Sequence, residues 1–200
     1  MKLEPGRPYR MVARAEQVAR TGEAIIAASL ALYHELWLDE ITLEMVAARA
    51  GVSTKTLVRR YGSRDGLVDA VGRTLAATVA EQRFQARVGD LTDIVLNLIA
   101  HYERNGALAL RNMVQAQRFP RIGALVEHGR AEHRQWVEHV FAPWLTRAAG
   151  PEAEVLRAQL VALTDVAFWQ VLRNDLGLDE RRTARAVEGL LRVLLEREPR

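Results

Sequence analysis

Five cations, Arg49, Lys55, Arg59, Arg60 and Arg64, fall between positions 49 and 64 without one Asp or Glu among them. Groups of this kind can pair with phosphate oxygens, and an arginine fork can also grip O6 and N7 of a guanine. Lys55 and Arg59 are four residues apart and share one helix face. The surrounding segment, ITLEMVAARAGVSTKTLVRRYGSRDGL over 41–67, says how they would be held. Ala47 and Ala48 are small, Gly51 interrupts a helix, and Ser53 can cap a new one, with Leu57 facing inward four residues later. Two short helices joined by a tight turn, the second presenting a basic face, fit a DNA major groove.

Catalytic chemistry has little to draw on. The five histidines, His34, His101, His128, His133 and His139, form no HExxH, and neither a Gly-rich phosphate loop nor a nucleophile elbow is present. His128 with Glu132, and His101 with Asn97, share helix faces, but a solvated histidine near a polar neighbour accounts for both. The absence of cysteine removes disulfides, thiolate metal sites and a cysteine nucleophile. The expectation is a chain that is not an enzyme, with no metal and no cofactor.

Composition bounds the partners. The 200 residues are 49% hydrophobic and 26% charged, enough for a substantial core and a soluble surface. No apolar run approaches a transmembrane length and the first residues lack a signal-peptide stretch, so a cytoplasmic protein with no membrane partner is expected. The net charge is +3, and residues 1–64 carry all of it, with ten Lys/Arg against seven Asp/Glu; residues 65–200 carry eighteen of each. Surplus positive charge on one module favours double-stranded DNA in a salt-dependent way.

The periodicity is helical throughout, which predicts an all-α fold of about nine helices. Residues 1–20 read as a basic, mobile N-terminal arm, 21–66 as a three-helix helix-turn-helix head, and 67–200 as a larger helical domain. Ile25, Ile26, Leu30, Tyr33, Leu36 and Trp37 place a helix over 23–38. Thr42, Ser53 and Ser63 then cap the next three, the last running to about Arg87 with Asp65 in its first turn. Later helices are expected over 91–105, 107–117, 122–148, 152–176 and 180–197, separated by Gly106, Phe119-Pro120, Gly150-Pro151 and Gly177. Pro143 should kink or end the one that contains it.

The motif over 25–67 resembles the TetR family of bacterial transcriptional regulators. The resemblance rests on Ile25-Ile26-Ala27-Ala28, Leu32-Tyr33, Thr42, Val46-Ala47, Ala50-Gly51-Val52-Ser53, Thr56-Leu57, Tyr61, and Ser63-Arg64 with Leu67. Beyond residue 70 only length and helix order agree. Trp37 stands where the family usually has glycine, so the first helix must end differently or run longer. Val58 replaces a usual tyrosine that meets a phosphate, and Arg64 replaces a usual lysine.

The resemblance implies a ligand-responsive repressor that binds a near-palindromic operator as a homodimer and leaves it when a small-molecule effector enters a pocket among the middle helices. The alternative is a DNA-binding regulator without small-molecule sensing, controlled by a protein partner or constitutive. An adaptor built only for protein contacts would need a neutral or acidic head. The expected DNA-binding residues are Thr42, Ser53, Thr54, Lys55, Thr56, Val58, Arg59, Arg60 and Arg64, with Arg7, Arg10 and Arg14 of the arm following the backbone or entering a minor groove. For a pocket, polar groups among apolar walls single out Asn97, His101, Asn112, Phe119, Trp136, Phe141, Asp165 and Trp169. Asp165, on what reads as an apolar helix face, needs either an arginine across a dimer bundle or an effector. The broad apolar faces of 152–176 and 180–197 predict a two-fold four-helix bundle between protomers. Effector, operator and regulated genes leave no mark in the chain.

Overall fold

A computed structural model describes residues 7–148 and 150–196; the side chains of residues 7–11 and 13 lie outside the description. Among the described residues there are ten α-helices and no strand. The chain divides into two compact units, Met1–Leu75 and Ala76–Arg200.

In the first unit, α1 spans Arg7–Glu35, α2 Leu43–Ala50 and α3 Thr54–Tyr61, and α4 (Arg64–Arg83) begins. Ile25, Leu32, Val46, Ala47, Leu57, Leu67 and Val71 bury together as its core. Each large side chain removed from water there contributes about 1.5–3 kcal/mol. Residues 7–20 were expected as an arm; they continue α1 instead, and residues 1–6 lie outside the described range. Helix formers dominate the stretch, Thr21 Oγ1 donates to the Gln17 carbonyl at 2.8 Å, and Arg20 pairs with Glu16 one turn back. At its other end α1 stops at Glu35. Trp37 is extended and precedes a 3₁₀ turn, Leu38–Glu40, whose Glu40 carboxylate accepts from the Trp37 amide at 2.7 Å. Helix α1 therefore ends where the chain turns extended at Trp37, and Glu40 caps the 3₁₀ turn that follows it.

The second unit contains α5 (Leu91–Gln115), α6 (Pro120–Val140), α7 (Ala142–Leu145), α8 (Gly150–Leu163), α9 (Val166–Gln170), a π-helical turn over Val171–Asp175, and α10 (Glu180–Leu195). Helix α5 packs on α6, α9 and α10. Ile94, Val95, Leu98, Trp136, Val140, Phe141, Leu160 and Leu191 form the centre of the core. Pro143 does end the long helix, entering the short α7 in its first turn, where a missing amide is harmless.

Two boundaries differ from expectation. Gly106 does not split a helix: α5 runs through it. A Cβ there would lie 2.5 Å from the Trp169 ring, so the glycine serves close packing rather than a break. The expected helix 152–176 is instead broken at Thr164-Asp165. The Thr164 hydroxyl donates to the Leu160 carbonyl at 2.6 Å, and Asp165 caps α9, accepting from the Ala167 amide at 2.8 Å. Asp165 is thus half-buried at a helix start, compensated by backbone N–H and dipole, and not stranded on an apolar face.

Candidate nucleic-acid interface

Helices α2 and α3 are joined at Gly51, whose φ of 66° is left-handed backbone that an L side chain adopts only at a cost. Its amide returns to the carbonyls of Ala47 and Ala48, closing α2 so that the chain can reverse. Thr42 and Ser53 cap the two helices, accepting from the Met45 and Thr56 amides at 3.2 Å each. The Ser53 and Thr56 hydroxyls also meet, at 3.0 Å. Leu57, 1% exposed, anchors α3 to the core, with Val52 and Tyr61 packed beside it. With that anchor fixed, helical geometry puts Lys55, Val58, Arg59 and Arg60 outside; Thr54 and Thr56 are half-buried.

The five cations then separate into two groups. Arg49 pairs with Glu35 of α1 at 2.9 Å. Arg60 crosses back to α1, donating to the Val18 carbonyl at 2.9 Å and lying over Gly22, where a Cβ would collide with it. Arg64 is half-buried and donates to the carbonyls of Ile41 (3.1 Å) and Leu38, gripping the turn that leads into α2. Lys55 and Arg59 are exposed and engage no partner among the described residues. The run without acids therefore yields one free pair of cations, four residues apart, next to an exposed Val58 (45%). Such a surface can place one charge on phosphate and one fork on a base edge. Arg14 is exposed on α1; the side chains of Arg7 and Arg10 lie outside the described residues.

Of the residues expected to line a pocket, Trp136, Phe141 and Trp169 share the buried core of the second unit, while others are engaged by neighbours of their own. Asn97 exchanges hydrogen bonds with Gln82, its Nδ2 donating to the Gln82 carbonyl at 2.8 Å and its own carbonyl accepting at 3.1 Å. Phe119 precedes Pro120 at the start of α6, and Asn112 is half-buried on α5. Trp169 donates to Glu103 at 2.9 Å, beside an Arg173 that grips the same carboxylate and holds it below the usual carboxylate range. Asp165 is spent on capping.

His101, Trp136 and Phe141 do lie in the buried centre, with His133, which the sequence offers only as one of five histidines, and Arg83, which nothing in the sequence singles out. Arg83, 5% exposed, lies with its guanidinium 4.3 Å above the Trp136 ring. It is 2.7 Å from His133 Nδ1, and its main-chain carbonyl accepts from Trp136 Nε1 at 3.0 Å. A guanidinium can only donate, so His133 Nδ1 is the acceptor and the ring's proton sits on Nε2, which points to the Val161 carbonyl and the Thr164 hydroxyl, both at 3.2 Å. Burial, then the nearby Arg83 charge, lowers His101 to about 3 and His133 to about 4. Tyr102, pushed upward by burial, donates to the Thr164 carbonyl at 2.9 Å. An arginine in the last turn of a helix reads as surface; no local pattern distinguishes it from one turned inward. No group of three or more His, Cys, Asp or Glu among the described residues is arranged to hold a metal, and no single described helix is long and apolar enough to cross a membrane.

Residues 25–71 match the family model for bacterial regulatory proteins of the tetR family. No curated protein matches the chain. Among solved structures, it is similar to a transcriptional regulator from Rhodococcus sp. Rha1, at 20% identity and a TM-score of 0.67, over 87% of this chain and 95% of that one. It is also similar to a transcriptional regulator of the TetR/AcrR family from Thermobifida fusca YX-ER1, at 16% identity and a TM-score of 0.60, over 91% and 99%. At such identities the likeness is one of fold.

Proposed function

We propose that this chain, which belongs to the TetR family of bacterial regulators, is a ligand-responsive repressor that binds a near-palindromic operator as a homodimer and is released by a small-molecule effector. The observation that carries DNA reading is the pair Lys55 and Arg59, exposed and unengaged on a helix whose opposite side is locked by Leu57. Lys55 meets phosphate, Arg59 reads a base, and Val58 or the Thr54 methyl touches a thymine methyl. Thr42, Ser53 and Thr56 stand at helix starts, where backbone amides also favour phosphate. Arg60 and Arg64 position α3 and the α2 entry, and their part in phosphate contact is secondary.

Dimerisation draws support from Val155 on α8 and Leu190 and Val193 on α10, all exposed in the single chain. A second copy covering them forms a four-helix bundle, and its two-fold axis sets half-sites about one turn of DNA apart, or a multiple. The second reading, a regulator without small-molecule sensing, is favoured by the mutual pairing of Asn97 with Gln82 and of Trp169 with Glu103.

Operator selection followed by titration of Arg59→Ala tests the DNA reading. The variant should lose about 1–3 kcal/mol at the operator and relax preference at one base pair per half-site. Lys55→Ala should weaken all DNA equally and lower the salt slope by about one per protomer. Equal losses on operator and random DNA for Arg59→Ala would remove Arg59 from base reading.

A further inference from the structure

We propose that the interior of the second unit binds an aromatic carboxylic acid, its carboxylate paired with Arg83 and its ring against the aromatic side chains around it; the inference deepens the effector reading above and rests on it.

Arg83 is a buried arginine with no carboxylate in contact; Glu132 and Asp165 favour its charge only from a distance. Among the described residues it forms no ion pair with any carboxylate, and its Nε–H has no acceptor at all. A guanidinium does not shed its proton in a protein, so it stays a cation in a medium that penalises one. Burial works against that charge here. Both carboxylates make their direct contacts with other groups. Asp165 accepts from the Ala167 amide, and Glu132 lies 3.6 Å from His128 on the surface of α6. The neutral neighbours do not help: His133 offers one lone pair, at Nδ1, and the Tyr102 phenol keeps its proton and donates it to the Thr164 carbonyl. A guanidinium carries five donors in a rigid planar fork, and a carboxylate is the acceptor that matches such a fork with two oxygens.

The surroundings select an aromatic body for that carboxylate. The guanidinium covers the Trp136 face, His133 stacks on the same ring at 5.9 Å, and Phe141 meets its edge at 6.2 Å. In the same unit His101 packs on Tyr102 and Tyr102 on Trp169, with centroids 4.9 and 5.9 Å apart. Gly106 lets the Trp169 ring lie directly against α5. Flat rings of this kind pack against a planar ligand in offset or edge-on arrangements. All of these groups belong to the second unit, so the proposal needs nothing from the DNA-binding head.

The test uses the full chain with benzoate and phenylacetate as probes, benzamide as the uncharged match in shape, and inorganic phosphate as the anion without a ring. Thermal midpoint and tryptophan fluorescence report binding, and a labelled operator reports release. At an excess of about 100-fold over Kd, reached by about 10 mM acid for a submillimolar site, at least one of the two acids should raise the midpoint by several degrees; benzamide and phosphate should not. Arg83→Met should abolish the shift, and Arg83→Lys should weaken binding about tenfold, since a lysine keeps the charge and loses the fork. If Arg83→Met fails to fold, the wild-type protein labelled with ¹⁵N-arginine decides: its slowly exchanging Nε–H, marking the buried Arg83, should move on addition of the acid. Absence of binding by both acids, equal binding by benzamide or phosphate, or an unmoved Nε–H would overturn the proposal. Acid binding that depends on Arg83 while operator affinity stays constant would uphold the site and defeat release by this ligand; a chain that binds no operator would defeat the DNA reading alone.

Discussion

Arg64 is where the resemblance to a family and the geometry of this chain give opposing predictions, and one substitution separates them. By position it opens α4 and should meet a phosphate. By geometry its guanidinium is half-buried and holds the carbonyls of Leu38 and Ile41, immediately before the Thr42 cap of α2. Hydrogen bonds from a charged donor contribute about 1.5–3 kcal/mol each when buried. Because Arg64 is partly wet, water replaces some of that loss, and Arg64→Ala should destabilise the chain by about 1–3 kcal/mol. For a chain of this size the thermal midpoint should fall by roughly 2–4 °C per kcal/mol. The loss should be local as well: amide exchange at Met45 and Val46, in the first turn of α2, should accelerate more than exchange in α5. Arg64→Lys is the companion. It preserves charge but reaches at most part of the two-carbonyl site, so it should recover some stability and not all. A phosphate role predicts the reverse pattern, with stability unchanged, DNA affinity and salt slope reduced in Arg64→Ala, and both restored by lysine. An Arg64→Ala protein that unfolds in urea like the wild type would refute the clamp.

Gly51→Ala should cost about 1–2 kcal/mol in urea denaturation through backbone strain alone, since its φ is 66° and nothing lies within 4 Å of the new Cβ. Gly106→Ala acts differently, driving a methyl into the Trp169 ring, and should cost about 1–3 kcal/mol with a changed tryptophan spectrum. Stability should also fall with acid. His101 and His133 bind protons near pH 6.5 when unfolded but only at about 3 and 4 when folded, so stability is complete above pH 6.5 and declines below it. The slope approaches about 1.4 kcal/mol per pH unit for each histidine until its folded value is reached. His133→Gln should remove one of those protons, which urea denaturation across pH 4–7 would show. Val58→Tyr should tighten DNA binding modestly by returning a hydroxyl to an exposed position, and unchanged affinity would place Val58 away from the backbone.

The head was legible because its determinants are local. Gly51, the Thr42 and Ser53 caps and the inward Leu57 each act within one helical turn, and their order along the chain already dictates a helix pair with one outward face. The end of the long helix at Pro143 was legible for the same reason. What only the tertiary structure decided depends on residues far apart in sequence. Arg49, Arg60 and Arg64 resemble Lys55 and Arg59 in composition and spacing, yet they meet Glu35, Val18, Leu38 and Ile41, and no pattern local to α3 announces those partners. Gly106 looks like a break because glycine favours one by propensity; the Trp169 ring pressed against it is a tertiary reason, and it prevails. Asp165 looks buried if the helix is continuous, but the Thr164 hydroxyl and the Asp165 cap end that helix first, so its charge is met by backbone amides. Arg83 carries the same lesson inward: sequence gives the residue and its place in the last turn of α4, while packing against Trp136 and His133 decides that this cation, unlike its neighbours, is held away from water.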